Sequence, residues 1–265
     1  MKFSIITVNY NNKEGLRRTI ESVIRQTFQD YEFIVIDGGS DDGSKELLKE
    51  YDNSITYWVS EPDGGIYQGM NKGIAKAQGE YLNFMNSGDR FYDDGVLKRI
   101  NDYGNTADII SGRDYHYSEE KQQGHASVQP TRLSMITFFT STLDHQSSFI
   151  KRELFNDAPY REDLRLVSDW VFFLEKVVVD DKKVRFVSDI VCYREAAGIT
   201  AQQYDRNLQE RDRYLHQLLP CGVYHDYETL AKLDKGLLFN LFNIIDAPKK
   251  RKLLAWFIKI LTKLL

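Results

Sequence analysis

Cysteine is nearly missing from this chain: Cys192 and Cys221 are its two thiols. Two cysteines exclude a disulfide framework, and alone they cannot complete a zinc site. Positive charge is not in surplus either. Against 39 Asp and Glu stand 35 Lys and Arg, giving a net charge of −4. That balance argues against a nucleic-acid partner, because phosphate-backbone binding needs clustered cations. No apolar run reaches the roughly eighteen residues a membrane span requires. The opening MKFSIITVNYNN lacks a cationic leader ahead of a long apolar core, so the expected location is the cytoplasm. Internal repeats and low-complexity tracts are absent as well.

What is there suits a folded domain. Hydrophobic residues make up 42% and charged residues 28%, ordinary proportions for a packed core with a solvated surface. A length of 265 residues supports one large α/β domain, with room for a small appendage. Aromatic content is 13%; core packing is the ordinary use of such residues and lining a sugar site the specific one.

Short apolar runs alternate with helical periodicity through the first half. Strands are predicted at Phe3 to Val8, Glu32 to Ile36, Ile55 to Val59 and Glu80 to Met85. Between them, Leu16, Ile20, Val23, Ile24 and Phe28 recur at helical spacing, and helices are predicted over Asp41 to Tyr51 and Ile66 to Ala77. This alternation implies an α/β fold with a mostly parallel central sheet and helices on both faces. Further on, strands are predicted at Asp108 to Tyr117, His145 to Ile150 and Val184 to Tyr193, and helices at Asp169 to Val179 and Gln202 to Leu219. Gln122 to Pro130 reads as a polar loop.

Three polar clusters follow predicted strands: Thr7, Asn9 and Asn11 after the first, Asp37-Gly38-Gly39-Ser40-Asp41-Asp42-Gly43-Ser44 after the second, and Asn86-Ser87-Gly88-Asp89 after the fourth. Parallel strands bring all three to one sheet edge, where open α/β sheets bind ligands. Singly, each is also compatible with an ordinary turn or helix cap.

The order of these clusters resembles glycosyltransferase family 2, with its GT-A fold. The text that carries it is IITVNYNNKEGLRRTIESVIRQTFQDYEFIVIDGGSDDGS followed by EPDGGIYQGMNKGIAKAQGEYLNFMNSGD, and the similarity thins toward Gly198. The resemblance is to bacterial members that assemble surface polysaccharides. It implies an inverting, metal-dependent transferase moving a sugar from a nucleotide-diphosphate donor, UDP by default, to an acceptor hydroxyl. It places Thr7, Asn9 and Asp37, with Gly39, around the base and ribose. Asp63 and Asn71 would border the donor pocket, joined by Asn86 and Gly88.

Asn86-Ser87-Gly88-Asp89 stands where the family has its Asp-x-Asp metal motif. Here the first acid is replaced by Asn86, leaving Asp89 as the ligand for Mg²⁺ or Mn²⁺. One carboxylate, water and two diphosphate oxygens can complete such a shell. The family base falls at Asp169, with Ser168 in place of a preceding acid. As a plain helix-start carboxylate Asp169 would be favoured by the helix dipole alone. His145 is assigned to the acceptor or diphosphate side, and Arg194 with Gly198-Ile199-Thr200 to a lid or an ordinary mobile loop.

The end of the chain, PKKRKLLAWFIKILTKLL over 248–265, has a different character. Leu253, Leu254, Trp256, Phe257, Ile260, Leu261, Leu264 and Leu265 form a broad apolar face at helical spacing, with six Lys and Arg around it. A cationic amphipathic helix of this kind suits the surface of an anionic bilayer, where a lipid-linked glycan acceptor would also lie. Packing on the domain, or on a second copy as a homodimer, is the alternative. The division expected is a GT-A domain over 1–220 and a C-terminal helical extension over 221–265, peripheral on the inner membrane face.

Two other functions fit parts of the pattern. A sugar nucleotidyltransferase uses a similar sheet but needs a Gly-rich basic loop after the first strand, where this chain has Asn9-Tyr10-Asn11-Asn12-Lys13. A non-catalytic, membrane-associated nucleotide-sugar-binding protein would account for Asn86 and Ser168 standing where acids are expected.

Overall fold

Strand β1 (Phe3–Asn9) is buried along its whole length, and its two faces serve two different cores. Phe3 and Ile5 pack with Leu16, Ile20 and Val23 of helix α1 (Lys13–Ile24). Ile6 and Val8 face the other way, toward Met70 of α3 (Ile66–Lys76). Strand β2 (Tyr31–Asp37) repeats the division, with Phe33 and Val35 on the α1 side and Ile34 and Ile36 on the α3 side. A period of two along a strand separates the faces, so an unbroken apolar run is what a sheet covered on both sides demands. Helix α2 (Ser44–Glu50) adds Leu47 and Leu48 to the first core.

In this computed structural model, residues 1–118, 123–130, 133–157, 159–194 and 203–232 are described, together with 248, 250–252, 254–256 and 259. Among them a nine-stranded sheet runs through the molecule. Strands β3 (Tyr57–Ser60), β2, β1 and β4 (Tyr81–Phe84) form a parallel half in that order. The order continues through β8 (Ser148–Lys151), β6 (Ile109–Ser118), β9 (Val184–Arg194) and β5 (Arg90–Phe91), with β7 (Gln123–Ala126) paired to β6. Beyond β4 the pairing is mixed: β8 is antiparallel to both β4 and β6, whereas β6 and β9 are parallel. The expected α/β architecture, a central sheet with helices on both faces, is what the chain adopts.

The second core face is closed by α5 (Met135–Thr140) and α6 (Ser168–Leu174), tied together by Trp170, whose indole N–H donates to the Phe138 carbonyl at 2.9 Å. After Leu174 the helix widens to a π turn over Glu175–Val179. Helix α4 (Val96–Asp102) joins the α1 side. Helices α7 (Tyr204–Leu218) and α8 (Cys221–Ala231) follow, and α8 rests on α5 through Tyr224 and Tyr227 against the Phe139 ring, at 5.5 and 5.9 Å. Residue 220, where a boundary was expected, lies in the turn between α7 and α8, and α8 itself packs on α5.

Some local expectations need correction. Residues 123–126 are a strand rather than loop; the run Gln-Gly-His-Ala has no apolar alternation and pairs along the β6 edge through its backbone. Helices α4 and α5, at 7 and 6 residues, are too short to show a helical period. Helix α5 is started by Ser134, whose amide donates to Thr137 Oγ1 at 3.2 Å.

Candidate active site

Backbone register fixes the edge on which the polar clusters meet. Asn9 pairs with Asp37 at the ends of β1 and β2, and Asp37 with Ser60 at the end of β3. The chain leaving β4 keeps following β1: the Met85 amide donates to the Ile6 carbonyl at 2.9 Å and the Ser87 amide to Val8 at 3.1 Å. Asn9, Asp37 and the 86–89 turn therefore emerge side by side.

Asp37 is fully buried, and donors surround its carboxylate. Asn9 Nδ2 and Ser40 Oγ reach Oδ1 at 2.7 and 2.5 Å; the Ser40 amide and Ser60 Oγ reach Oδ2 at 3.0 and 2.7 Å. A buried charge held by this many donors is tolerable where a bare one would not be. Gly39, at φ +80°, lets the chain turn directly beneath Pro62; a Cβ there would lie 2.9 Å from the Pro62 nitrogen. Asp63 leans over the same turn, its carboxylate 3.2 Å from where a Gly38 Cβ would be, and accepts the Gly65 amide at 2.9 Å. Thr7 is turned inward, donating to the Met85 carbonyl at 2.6 Å, and so ties β1 to the start of the 86–89 turn.

A second group is a hydrogen-bonded chain across the molecule. Asn86 Nδ2 lies 3.3 Å from His145 Nε2, His145 Nδ1 lies 2.8 Å from Asp169 Oδ2, and the Tyr67 hydroxyl donates to Asp169 Oδ1 at 2.7 Å. His145 and Asp169 are 12% and 19% exposed at their side chains, so both reach solvent while staying fixed. Burial acts to raise the Asp169 pKa, but the hydrogen bond and charge of His145, with Tyr67 and the Trp170 amide, outweigh it and pull the group down to about 2. Part of that pull is the positive charge the ring carries when both its nitrogens hold protons. Burial and the neighbouring Asp169 push the Tyr67 phenol well above its usual range, so it remains a donor.

Next to this chain, Gln146 Nε2 donates to Asp89 Oδ2 at 3.1 Å. Gly88, at φ +105°, gives its amide to Thr19 Oγ1 at 3.1 Å, and Thr19 in turn donates to the Asp89 carbonyl at 2.6 Å. No group of three or more His, Cys, Asp or Glu that could hold a metal occurs among the described residues. Asp89 suits a hard cation by its oxygen chemistry, in a shell where a ligand's phosphates and water supply the remaining positions. Asn71 stands apart: it accepts the Tyr160 amide at 3.0 Å and donates to the Tyr160 carbonyl and to Glu162 at 2.8 and 2.9 Å, pinning the loop ahead of α6. A cleft of about 190 Å³ lies beside that loop, bounded by Gly64, Tyr67, Glu162 and Arg165.

The family model described as "Glycosyl transferase family 2" matches residues 4–157, a stretch that contains the Asp37 turn, the 86–89 turn and His145. The chain belongs to glycosyl transferase family 2. An uncharacterized glycosyltransferase of Mycobacterium tuberculosis is 31% identical over 206 residues, 74% of this chain and 76% of that one. Among solved structures, S. aureus TarS 1-349 in complex with UDP-GlcNAc superposes with a TM-score of 0.63 at 18% identity, over 90% of this chain and 69% of that one. A mannosyltransferase from Pyrobaculum calidifontis in complex with GDP-Man and Mn²⁺ gives a TM-score of 0.59 at 14% identity, over 95% and 82%. These likenesses establish the GT-A fold.

Within this glycosyltransferase the residues singled out in sequence form two neighbouring groups, Asn9–Asp37–Asp63 and Asn86–Asp89–His145–Asp169, while Asn71 holds a loop. Ser168, standing where an acid was expected, accepts the Arg161 amide at 2.5 Å and is buried. Tyr67 escaped sequence reasoning: it precedes Asp169 by 102 positions, and nothing in their spacing connects them. Arg194 pairs with Asp144 at 3.0 Å. The rest of the lid proposed with it, Gly198-Ile199-Thr200, lies outside the described residues.

Proposed function

We propose that this glycosyltransferase moves a sugar from a nucleoside-diphosphate donor, with UDP first in line, to an acceptor hydroxyl with inversion at the anomeric carbon. The observation that carries the reading is Asp169: a carboxylate ionised throughout the neutral range, gripped at both oxygens and opening beside the 86–89 turn. A single carboxylate suffices for inversion if it takes the acceptor's proton on the sugar face opposite the leaving group. In that step the acceptor oxygen bonds to the anomeric carbon, the bond from that carbon to the diphosphate oxygen breaks, and Asp169 receives the proton. Tyr67 and His145 keep the carboxylate aimed while each of its oxygens retains a lone pair. Asn9, Asp37, Gly39 and Asp63 would shape the base and ribose side, with Thr7 and Asn71 bracing the elements around it. Asn86, Gly88 and His145 would face the diphosphate and acceptor. The UDP-GlcNAc and GDP-Man complexes of the two solved structures support a nucleotide-sugar donor.

Asp89 is the residue assigned to Mg²⁺ or Mn²⁺, and the Mn²⁺ of the mannosyltransferase complex supports a divalent ion here. Such an ion, when bound, neutralises charge that grows on the departing diphosphate. We further place the protein on the inner membrane face through its basic tail, acting on a glycan or lipid-linked acceptor in cell-surface polysaccharide synthesis. The test is calorimetric titration of UDP-sugars with and without Mn²⁺. Asp89→Ala is expected to lose the Mn²⁺-dependent gain in donor affinity and to release no UDP. Full UDP release by that variant in EDTA would reject the assignment.

A further inference from the structure

Position 86 carries an amide where the resemblance leads one to expect an acid, and the structure gives that amide a definite partner. Asn86 Nδ2 faces His145 Nε2 at 3.3 Å, while His145 Nδ1 faces Asp169 Oδ2 at 2.8 Å. An ionised carboxylate only accepts, so the proton between His145 and Asp169 sits on Nδ1. With the amide nitrogen turned toward the ring, as it is here, Nε2 is the acceptor and bears no proton; the amide oxygen turned toward it would instead call for a protonated Nε2. The other end of the amide, Oδ1, is buried without a hydrogen-bond partner, so His145 is the contact that orients the Asn86 side-chain amide.

We propose that Asn86 is a positioning residue whose amide keeps His145 Nε2 unprotonated, so that the ring stays neutral with its proton on Nδ1 and Asp169 receives a hydrogen bond without an adjacent full positive charge. Its catalytic meaning rests on Asp169 being the base; the proton placement does not. A carboxylate at position 86 would accept from Nε2 and favour a ring protonated at both nitrogens. Asp169 would then sit against an imidazolium, which stabilises the carboxylate and weakens its pull on an acceptor proton. The amide and the acid are therefore not interchangeable here. The motif gives up one carboxylate, and Asp169 is spared the adjacent imidazolium that would weaken it further as a base.

Nitrogen-15 NMR of the histidine rings in the full chain tests this directly. The chain has five histidines, and His145 is assigned by the signals lost in His145→Gln. At about pH 7.5 the wild-type ring is expected to show a protonated Nδ1 and an unprotonated Nε2. Asn86→Asp should convert the same ring to two protonated nitrogens, and Asn86→Leu, which offers no donor, should keep Nδ1 protonated while Nε2 takes up its proton at a higher pH than in the wild type. Alongside, Asn86→Asp should lower kcat by about tenfold or more while donor KM stays within about threefold. A wild-type ring protonated at Nε2, or an Asn86→Asp spectrum like the wild type, overturns the proposal. The expected spectra with no turnover in any form would uphold the proton placement and refute the transferase reading instead.

Discussion

At position 114 a carboxyl group lies fully buried, with Asp144 and Ser147 beside it and the Arg194 guanidinium 4.0 Å away. Burial, then the negative charge of Asp144, pushes its pKa up to about 8. The native state thus holds a proton there that the unfolded chain, near an ordinary value of about 4, releases. The stability this contributes is complete below about pH 4 and is lost as pH rises through about 8. Asp114→Asn, which keeps the shape and removes the titration, should melt above the wild type at about pH 9 and lose that advantage near pH 5. A wild-type-minus-variant difference that is flat with pH would contradict this. The same scale shows what sequence can and cannot disclose. Asp37, Asp89, His145 and Asp169 were visible because their motifs are local. Tyr67 and Asp114 act through partners set by tertiary packing, which no local window contains.

Among elements, the close seat of α3 on β1 decides how near Tyr67 comes to Asp169. A Cβ on Gly73 would lie 2.5 Å from Ile6 Cγ2, so the glycine is what lets the helix approach the strand. Gly73→Ala should destabilise the fold by about 1–3 kcal/mol through overpacking, measurable by denaturant titration. It should also weaken the Tyr67 contact and with it turnover. Unchanged stability would mean the helix can shift without loss. The first four strands were legible because each is a mainly apolar run, and α1 and α3 because each is long enough to show a period. The polar edge strand β7 and the short helices α4 and α5 were not, since pairing along β6 and packing against larger elements fix them rather than pattern.

For the whole molecule, the parallel half of the sheet carries Asn9, Asp37 and the 86–89 turn on one edge, and the turn into β8 with the start of α6 brings His145 and Asp169 to meet it. That gathering was readable from motif order; the mixed second half was not, because β8, β6 and β9 join strands separated by long stretches of chain. The tail adds a separate question. No helix among the described residues is long and apolar enough to cross a membrane. Pro248, Lys250 to Lys252, Leu254 to Trp256 and Lys259 are helical, with Trp256 56% exposed. Most of the apolar face, and Phe239 to Ile245 before it, lies outside the described residues. Deleting everything after Ala247 is expected to release the protein from anionic vesicles in a flotation assay while leaving UDP release intact. Equal flotation of both forms would reject the membrane role.

The proposed transfer depends most on Asp169 taking the acceptor's proton. The measurement that reaches it directly is the rate of nucleoside-diphosphate release from bound donor, with Mn²⁺ present, in Asp169→Asn against the wild type at matched donor occupancy. The expected result is equal donor affinity with release slowed by about a hundredfold or more. Release at the wild-type rate from a fully occupied variant would contradict the account.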